Sequence, residues 1–295
     1  MTDEPTRPGS RPRDPRGGSP TPLYWSTRVP PTRVTVAGVT DVGRARDNNE
    51  DGFLLWNLES DTEIAEVFET GCTERRPLLL LAGSDGMGGQ LAGEVASATA
   101  LATLADFVRA GAAGLADRAS EGIGTWLERG VQEAHQRVRE RSEEDAETHG
   151  MGATLSVSLL LGQRMCLAHV GDSRVYLFRE GRLRQLTMDH THVQDLVAHG
   201  HLSVEQARVH QERNLLMQAI GVSESVAADV SEVAVNRGDR LLLSSDGLHD
   251  LVPDDEIAEV FEANGTPRGD CRELISRAND YGGPDNITAV VAHFD

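Results

Sequence analysis

The sequence predicts an α+β fold of largely antiparallel sheets with helices packed outside them. Three observations carry that prediction. Strand-like segments come in runs rather than alternating with helices. Two long helical patterns sit side by side in the middle of the chain. A leucine run ending in Ser-Asp-Gly occurs twice, as LLLLAGSDG (78–86) and LLLSSDG (241–247).

Nine segments have strand character. RVTVAGV, GFLLWN, PLLLLAG, TLSVSLLL, RMCLAHV, SRVYLFR, VSEVAV, DRLLLSS and NITAVVAHF are short, β-branched or leucine-rich, and bounded by Gly, Asp or Pro. Between Gly93 and His149 the pattern turns helical. Val95, Leu101, Leu104, Phe107 and Val108 mark one helix; Ile123, Leu127, Val131, Ala134 and Val138 mark a second with one apolar face. Further helices are expected over 254–263 and 268–279, and shorter ones over 191–198 and 203–209, inside a segment inserted between strands. Residues 58–76, polar and acidic, read as a hairpin loop.

Residues 1–32 are set apart. Eight of the twelve prolines lie there, hydrophobic periodicity is lacking, and a disordered tail is expected. The folded domain is expected over 33–295. Residues 1–33 carry six Arg against three acids, about +3, which leaves about −22 on the remainder of a chain whose net charge is −19. Such acidity argues against a nucleic-acid backbone as the main partner, because phosphate binding needs clustered cations. Cys72, Cys166 and Cys271 show no CxxC spacing, which fits a reducing compartment without disulfides or a zinc site. Neither a secretory leader nor a membrane-spanning run is visible, so a soluble, cytoplasmic protein is expected.

The repeated phrase points to chemistry. Carboxylates recur where strands end or turn: Glu50 and Asp51 in DNNED, Asp85 in SDGMGG, Asp172 in HVGDSR, Asp246 and Asp250 in SSDGLHD, Asp285 in GGPDN. A lone Asp-Gly is ordinarily just a turn. Here two apolar strands each deliver an aspartate as they leave the core, while their flanks, GMGGQ and GLHDL, share too little for a duplication. Clustered acids repel unless a cation neutralises them, and Mg²⁺ or Mn²⁺ take oxygen ligands.

With those residues in view the chain resembles the metal-dependent protein phosphatases of the PP2C family, in their bacterial form. The likeness runs from about Thr40 to the C-terminus and keeps seven motifs in order: TDVGRARDNNED (40–51), SDGMGGQLAGEVAS (84–97), GMGATL (150–155), HVGDSRVYLF (169–178), LTMDHTHV (186–193), GDRLLLSSDGLHDLV (238–252) and GGPDNITAVV (282–291).

The resemblance implies a four-layer α-β-β-α sandwich and a protein serine/threonine phosphatase with two Mn²⁺ or Mg²⁺ ions, and a third, weaker metal site. A water shared by the two ions attacks phosphoserine or phosphothreonine directly, which fits the lack of a Cys-x5-Arg nucleophile motif. By the same resemblance Asp85 bridges the two metals and the Gly86 carbonyl ligates one of them. Asp246 and Asp285 ligate the other, and Glu50 and Asp51 hold metal-bound waters. Arg46 grips the substrate phosphate. Asp172, Asp250 and Asp246 form the third site. Asn286 and Thr154 support the geometry, and residues 191–221 form a flap beside the cleft.

The expected partners are phosphoserine and phosphothreonine proteins, among them Ser/Thr kinases and their targets, met by a monomer. Gln90 and Met87 depart from relatives that carry His there, which leaves the proton donor open among His190, His201, His210 and water. Ser84 departs from the apolar or small residue usual before the aspartate, a difference expected to matter little, with a hydrogen bond to a ligand carboxylate as the one role open to it. The competing reading is a catalytically silent module that binds phosphoproteins; a phosphatase of a partner-switching pathway differs in substrate only.

Overall fold

A computed structural model describes residues 29–88, 92–115 and 120–295, and of Ser120 and Glu121 the backbone alone. Of the tail expected over residues 1–32, residues 1–28 lie outside the described residues, as does Gln90. Ordered structure is in place at Val29, whose carbonyl accepts the Arg237 N–H at 2.7 Å.

The first sheet runs in the order β10 (Arg182–Gln185), β9 (Arg174–Arg179), β12 (Arg240–Ser244), β13 (Ile287–Phe294), β1 (Arg33–Asp41), β4 (Val67–Gly71). The second runs β11 (Asp229–Ala234), β8 (Arg164–Val170), β7 (Leu155–Leu161), β5 (Leu78–Met87), β2 (Asp51–Asn57), β3 (Thr62–Glu63), with β6 (Gly152–Ala153) paired to the end of β5. All of these pairings are antiparallel. Helices α1 (Ala92–Gly111) and α2 (Ser120–Glu144) cover the second sheet; α5 (Asp246–His249), α6 (Asp254–Glu262) and α7 (Pro267–Asp280) cover the first. The four-layer α-β-β-α arrangement is therefore present.

The leucine runs follow from this layering. A central strand is buried on both faces, so its sequence need not alternate. In β5, Leu79 and Leu81 pack between the sheets, while Leu80 and Ala82 pack under the helices. In β12, Leu241 and Leu243 face the other sheet, and Leu242 faces the helix layer. Each such leucine contributes about 1.5–3 kcal/mol by leaving water. Helix α1 places Ala96, Ala100, Leu104 and Val108 on its buried face at steps of four. Helix α7 starts sharply because Thr266 Oγ1 accepts the Gly269 N–H at 3.2 Å and Pro267 occupies the first turn.

Residues 58–76 are not a plain loop. Val67–Gly71 forms β4, which pairs along Arg33–Ala37 at the edge of the first sheet, and Thr62–Glu63 pairs with β2 in the second. Within β4, Phe68 alone packs a large apolar side chain against the core, too weak a signal among acidic neighbours. The inserted segment carries α3 (His192–Ala198) and α4 (Val204–Arg208), and closes on itself through an antiparallel bridge between Thr191 and Leu216.

Candidate metal centre

Strand parity brings the two Ser-Asp-Gly phrases together. Asp85 lies on the face of β5 that carries Leu79 and Leu81, so it points between the sheets. Its cross-strand neighbour is Asp51, on the same face of β2. From the opposite sheet, Ser245 follows Leu243 at the end of β12 and donates through Oγ to Asp51 Oδ2 at 2.6 Å. Asp246, the next residue, opens α5. Asp285 precedes β13, the neighbour of β12. Two sheets thus deliver carboxylates to one end of the sandwich.

There they meet a cleft of about 810 Å³, lined by Glu50, Asp85, Gly86, Asp172, Asp246, Asp285 and Arg46, and also by Asp47, Met87 and Thr154. Asp51 lies behind this wall, buried. Asp250 lies in an adjoining cavity under the inserted segment, whose wall Asp172, Asp246 and Asp285 share. Arg213 of that segment approaches Asp250 to 3.9 Å.

Polar side chains strap the site in place. The Asn286 carboxamide accepts the Glu50 N–H at 2.8 Å and donates to the carbonyls of Val42 and Asn48 at 3.0 and 2.9 Å. Thr154 clasps Asp85: its Oγ1 accepts the Asp85 N–H at 2.9 Å, and its own N–H donates to the Asp85 carbonyl at 2.8 Å. The same hydroxyl bonds Ser173 Oγ at 2.7 Å, beside Asp172. Ser97 of α1 donates to the Glu50 carbonyl at 2.7 Å. Gly86 and Gly93 have to be glycines. A Cβ on Gly86 would stand 2.0 Å from the Gly93 carbonyl oxygen, and one on Gly93 would stand 2.5 Å from Glu50 Oε2.

Ser84 does not reach a carboxylate. Its Oγ donates to the Thr154 carbonyl at 2.6 Å, so it braces the strand instead. Ser245, Thr288, Ser173 and Ser97 escaped the sequence reading. Ser245 had a faint signal, its place before Asp246 in the repeated phrase; the others had none.

The crowding is visible in the proton affinities. Burial, then the charges of Asp51, Asp246, Asp172 and Asp285, holds the Asp85 carboxyl well above the usual range. Asp246 is raised in the same way, by burial and then by Asp172 and Asp250. Burial pushes Asp172 up to about 7 and Asp51 up to about 6, the latter against the opposing hydroxyls of Ser245 and Thr288. Asp250 is raised by burial as well. Asp85, Asp172 and Asp246 are only half-buried, since the cleft opens to solvent, but the protein closes round them on their other sides.

Arg46 is the one cation on the cleft wall among the described residues. It donates to Asp285 Oδ2 at 2.8 Å, and that bond raises its own proton affinity.

A model of the protein phosphatase 2C family matches residues 69–273. The chain belongs to that family. The serine/threonine phosphatase stp of Listeria monocytogenes is 38% identical over 256 residues, spanning 87% of this chain and 94% of its own length. The serine/threonine phosphatase of S. agalactiae superposes with a TM-score of 0.77 at 29% identity, over 89% of this chain and 100% of its own. The catalytic domain of the serine/threonine protein phosphatase PstP, solved in complex with two manganese ions, matches with a TM-score of 0.70 at 35% identity, over 89% and 99% of the two chains.

The residues present suit the divalent ions of such a phosphatase 2C centre. The ionisable acids on the wall, Glu50, Asp85, Asp172, Asp246 and Asp285 among them, offer oxygen donors, which hard cations prefer. Several carboxylates crowd round one arginine, so the site is short of positive charge. Among the described residues no three acids or histidines already form a cage round one point; the carboxylates ring the cleft instead.

Histidine is missing from the cleft wall among the described residues. His190 is buried elsewhere, accepting the Gly171 N–H at 3.3 Å and facing Asp229 at 3.4 Å. His201 and His210 sit in the inserted segment, away from that wall.

Proposed function

We propose that this phosphatase 2C protein hydrolyses phosphoserine and phosphothreonine in proteins, using two Mn²⁺ or Mg²⁺ ions held in the cleft. One observation carries the reading: carboxylates from the ends of two sheets converge on a cleft whose described wall holds a single arginine. An anionic substrate has no reason to enter so acidic a site unless divalent cations are there to receive it.

Asp85, Asp246 and Asp285 hold the ions, with the Gly86 carbonyl as a neutral donor. Glu50 and Asp51 orient the waters around them. Asp172, Asp250 and Asp246 hold a third, weaker ion. When bound, the metals supply an acidified water near neutral pH and offset charge on the phosphoryl oxygens. Arg46 supplies the remaining recognition: its forked guanidinium takes two phosphate oxygens and orients the phosphoryl group. Half-exposed and tied to the rim by Asp285, it is free to turn toward an entering anion. Thr154 and Asn286 hold Asp85 and Glu50 against their mutual repulsion and perform no chemistry. With no histidine on the described cleft wall, solvent in the cleft gives the proton to the leaving serine or threonine oxygen.

A silent phosphoprotein-binding module would have no need to keep such a costly set of acids together. The expected opponents are Ser/Thr kinases and their targets, met by a monomer in the cytoplasm. In support, no helix among the described residues is long and apolar enough to cross a membrane, and the three cysteines are unpaired and buried. Hydrolysis of p-nitrophenyl phosphate and a phosphothreonine peptide with Mn²⁺, with Mg²⁺ and with EDTA tests the reading. Turnover that needs the metal supports it; equal turnover in EDTA would sink it.

A further inference from the structure

The inserted segment returns to the domain past residues 215–217, where a single bridge ties it to its own start. Thr191 and Leu216 face each other there in an antiparallel bridge. Its two hydrogen bonds come from flanking residues. His192 N–H donates to the Leu215 carbonyl at 2.8 Å, and Met217 N–H donates to the His190 carbonyl at 2.7 Å. In a pair of this kind the two central residues turn their own N–H and C=O away from each other. The Leu216 peptide groups therefore point away from 190–192, and no described residue takes up either one. Leu216 itself lines the cleft with Arg46, Asp85 and Asp246, as Asn214 does two residues earlier. Further along the chain, Ile220 exchanges both backbone bonds with Ala153, the neighbour of the Thr154 that clasps Asp85. Leu216, on the cleft wall, thus keeps one backbone donor and one backbone acceptor that no described residue takes up.

We propose that Leu216 is the main-chain docking point for the phosphorylated segment of a protein substrate, which binds extended, as an added strand beside residues 215–217. The proposal rests on the phosphatase reading above. A free N–H and C=O on one residue of an antiparallel bridge take extended chain as their partner, because the backbone groups of a helix are already bonded internally. The occupant is a flexible phosphorylated segment rather than a folded epitope. Main-chain bonds do not read side chains, so the edge fixes the path of the substrate while Arg46 receives the phosphate. Because side chains alternate along an extended chain, the residue bonded to Leu216 and the phosphorylated residue stand in a set register.

The test uses the full-length protein with Mn²⁺ and a phosphothreonine nonapeptide. Each backbone amide from three residues before to three residues after the phosphothreonine is replaced, one at a time, by an ester. An ester keeps the shape of the chain and removes one N–H. KM and kcat are measured for every peptide, with p-nitrophenyl phosphate in parallel. Loss of one hydrogen bond is expected to raise KM about threefold to tenfold, with kcat unchanged, at one position or at alternating positions. KM values within twofold of the parent throughout would overturn the proposal, as would equal rises at adjacent amides. Failure to hydrolyse p-nitrophenyl phosphate is a separate result: it overturns the phosphatase reading, and the docking proposal falls with it.

Discussion

The substitution Asp51→Asn is expected to stabilise the metal-free protein while harming the enzyme. Asp51 is buried, stands across the strands from Asp85, and accepts the Ser245 hydroxyl at 2.6 Å. Burial pushes its carboxyl from an ordinary 3.8 up to about 6. A difference of that size, at about 1.4 kcal/mol for each pH unit, means that ionised Asp51 costs the fold about 3 kcal/mol above pH 6. The folded state holds its proton more tightly than the unfolded chain. The penalty is therefore absent at low pH, grows between 3.8 and about 6, and is complete above that. The carboxamide that replaces it carries no charge, keeps an oxygen for Ser245, and turns its NH₂ toward Asp85. Allowing for imperfect geometry, the gain at about pH 7.5 in EDTA is expected to be about 1–3 kcal/mol, falling to about a third of that at about pH 4.5. Urea unfolding followed by tryptophan emission at the two pH values measures it. Saturating Mn²⁺ should erase the lead, because the wild-type charge then has a partner. A variant less stable than wild type at the higher pH in EDTA would refute the idea that Asp51 is held ionised at a cost.

Other expectations follow from the same geometry. Asp85→Asn and Asp246→Asn should each lose phosphatase turnover by at least about a hundredfold, because each removes a proposed metal donor; near-normal rates at saturating Mn²⁺ would contradict the assignment. Arg46→Ala should raise KM about tenfold to a hundredfold, the worth of a charge-assisted bond to phosphate, with a smaller change in kcat; an unchanged KM with a collapsed kcat would assign Arg46 differently. Asn286→Leu leaves the Glu50 N–H and two carbonyls without partners, so it should cost about 2–4 kcal/mol in urea unfolding; a loss under about 0.5 kcal/mol would show the strap to be dispensable. Removing residues 1–28 should leave kcat and KM for p-nitrophenyl phosphate within about twofold, since the described cleft wall is built from residues after Thr40; an inactive, soluble truncation would refute this.

Legibility followed burial. The strands with both faces covered, β5, β12 and β13, appear in the sequence as unbroken apolar runs and were readable. Three of the four edge strands, β3, β4 and β10, are short and largely exposed, and their polar residues look like loop, whereas exposed β11 was legible from its valines. Asp85 and Asp246 stood out because an apolar strand that ends on an acid is costly and was spelled twice. Ser245 bonding Asp51 could not be read in advance. The two lie 194 residues apart, serine is common, and only the face-to-face packing of the sheets makes them neighbours. The actual partner of Ser84 was hidden for the complementary reason. Adjacent to Asp85 in sequence, it points to the other side of β5, where the Thr154 carbonyl takes its proton.

Why the acids tolerate one another is answered by what lies behind them. Along the sheet interface the core is aliphatic through Leu79, Leu81, Leu241, Leu243 and Val290. Toward the cleft it changes to hydroxyls: Ser156, Ser173, Ser245, Thr154 and Thr288, all buried. A hydroxyl turns freely and can give its proton to whichever neighbour is charged. Ser245 gives its own to Asp51, and Thr154 and Ser173 share one beside Asp85 and Asp172. Aliphatic packing carried to the strand ends would leave each carboxylate with neither water nor donor on its inner side. Full polarity there would let solvent in and loosen the sheets. Hydroxyls do neither, since they fill nearly the volume of a small apolar side chain and still offer a donor. The change from leucine to hydroxyl near the end of each strand therefore lets one sandwich be a close-packed core at its middle and an acidic, cation-seeking cleft at its end.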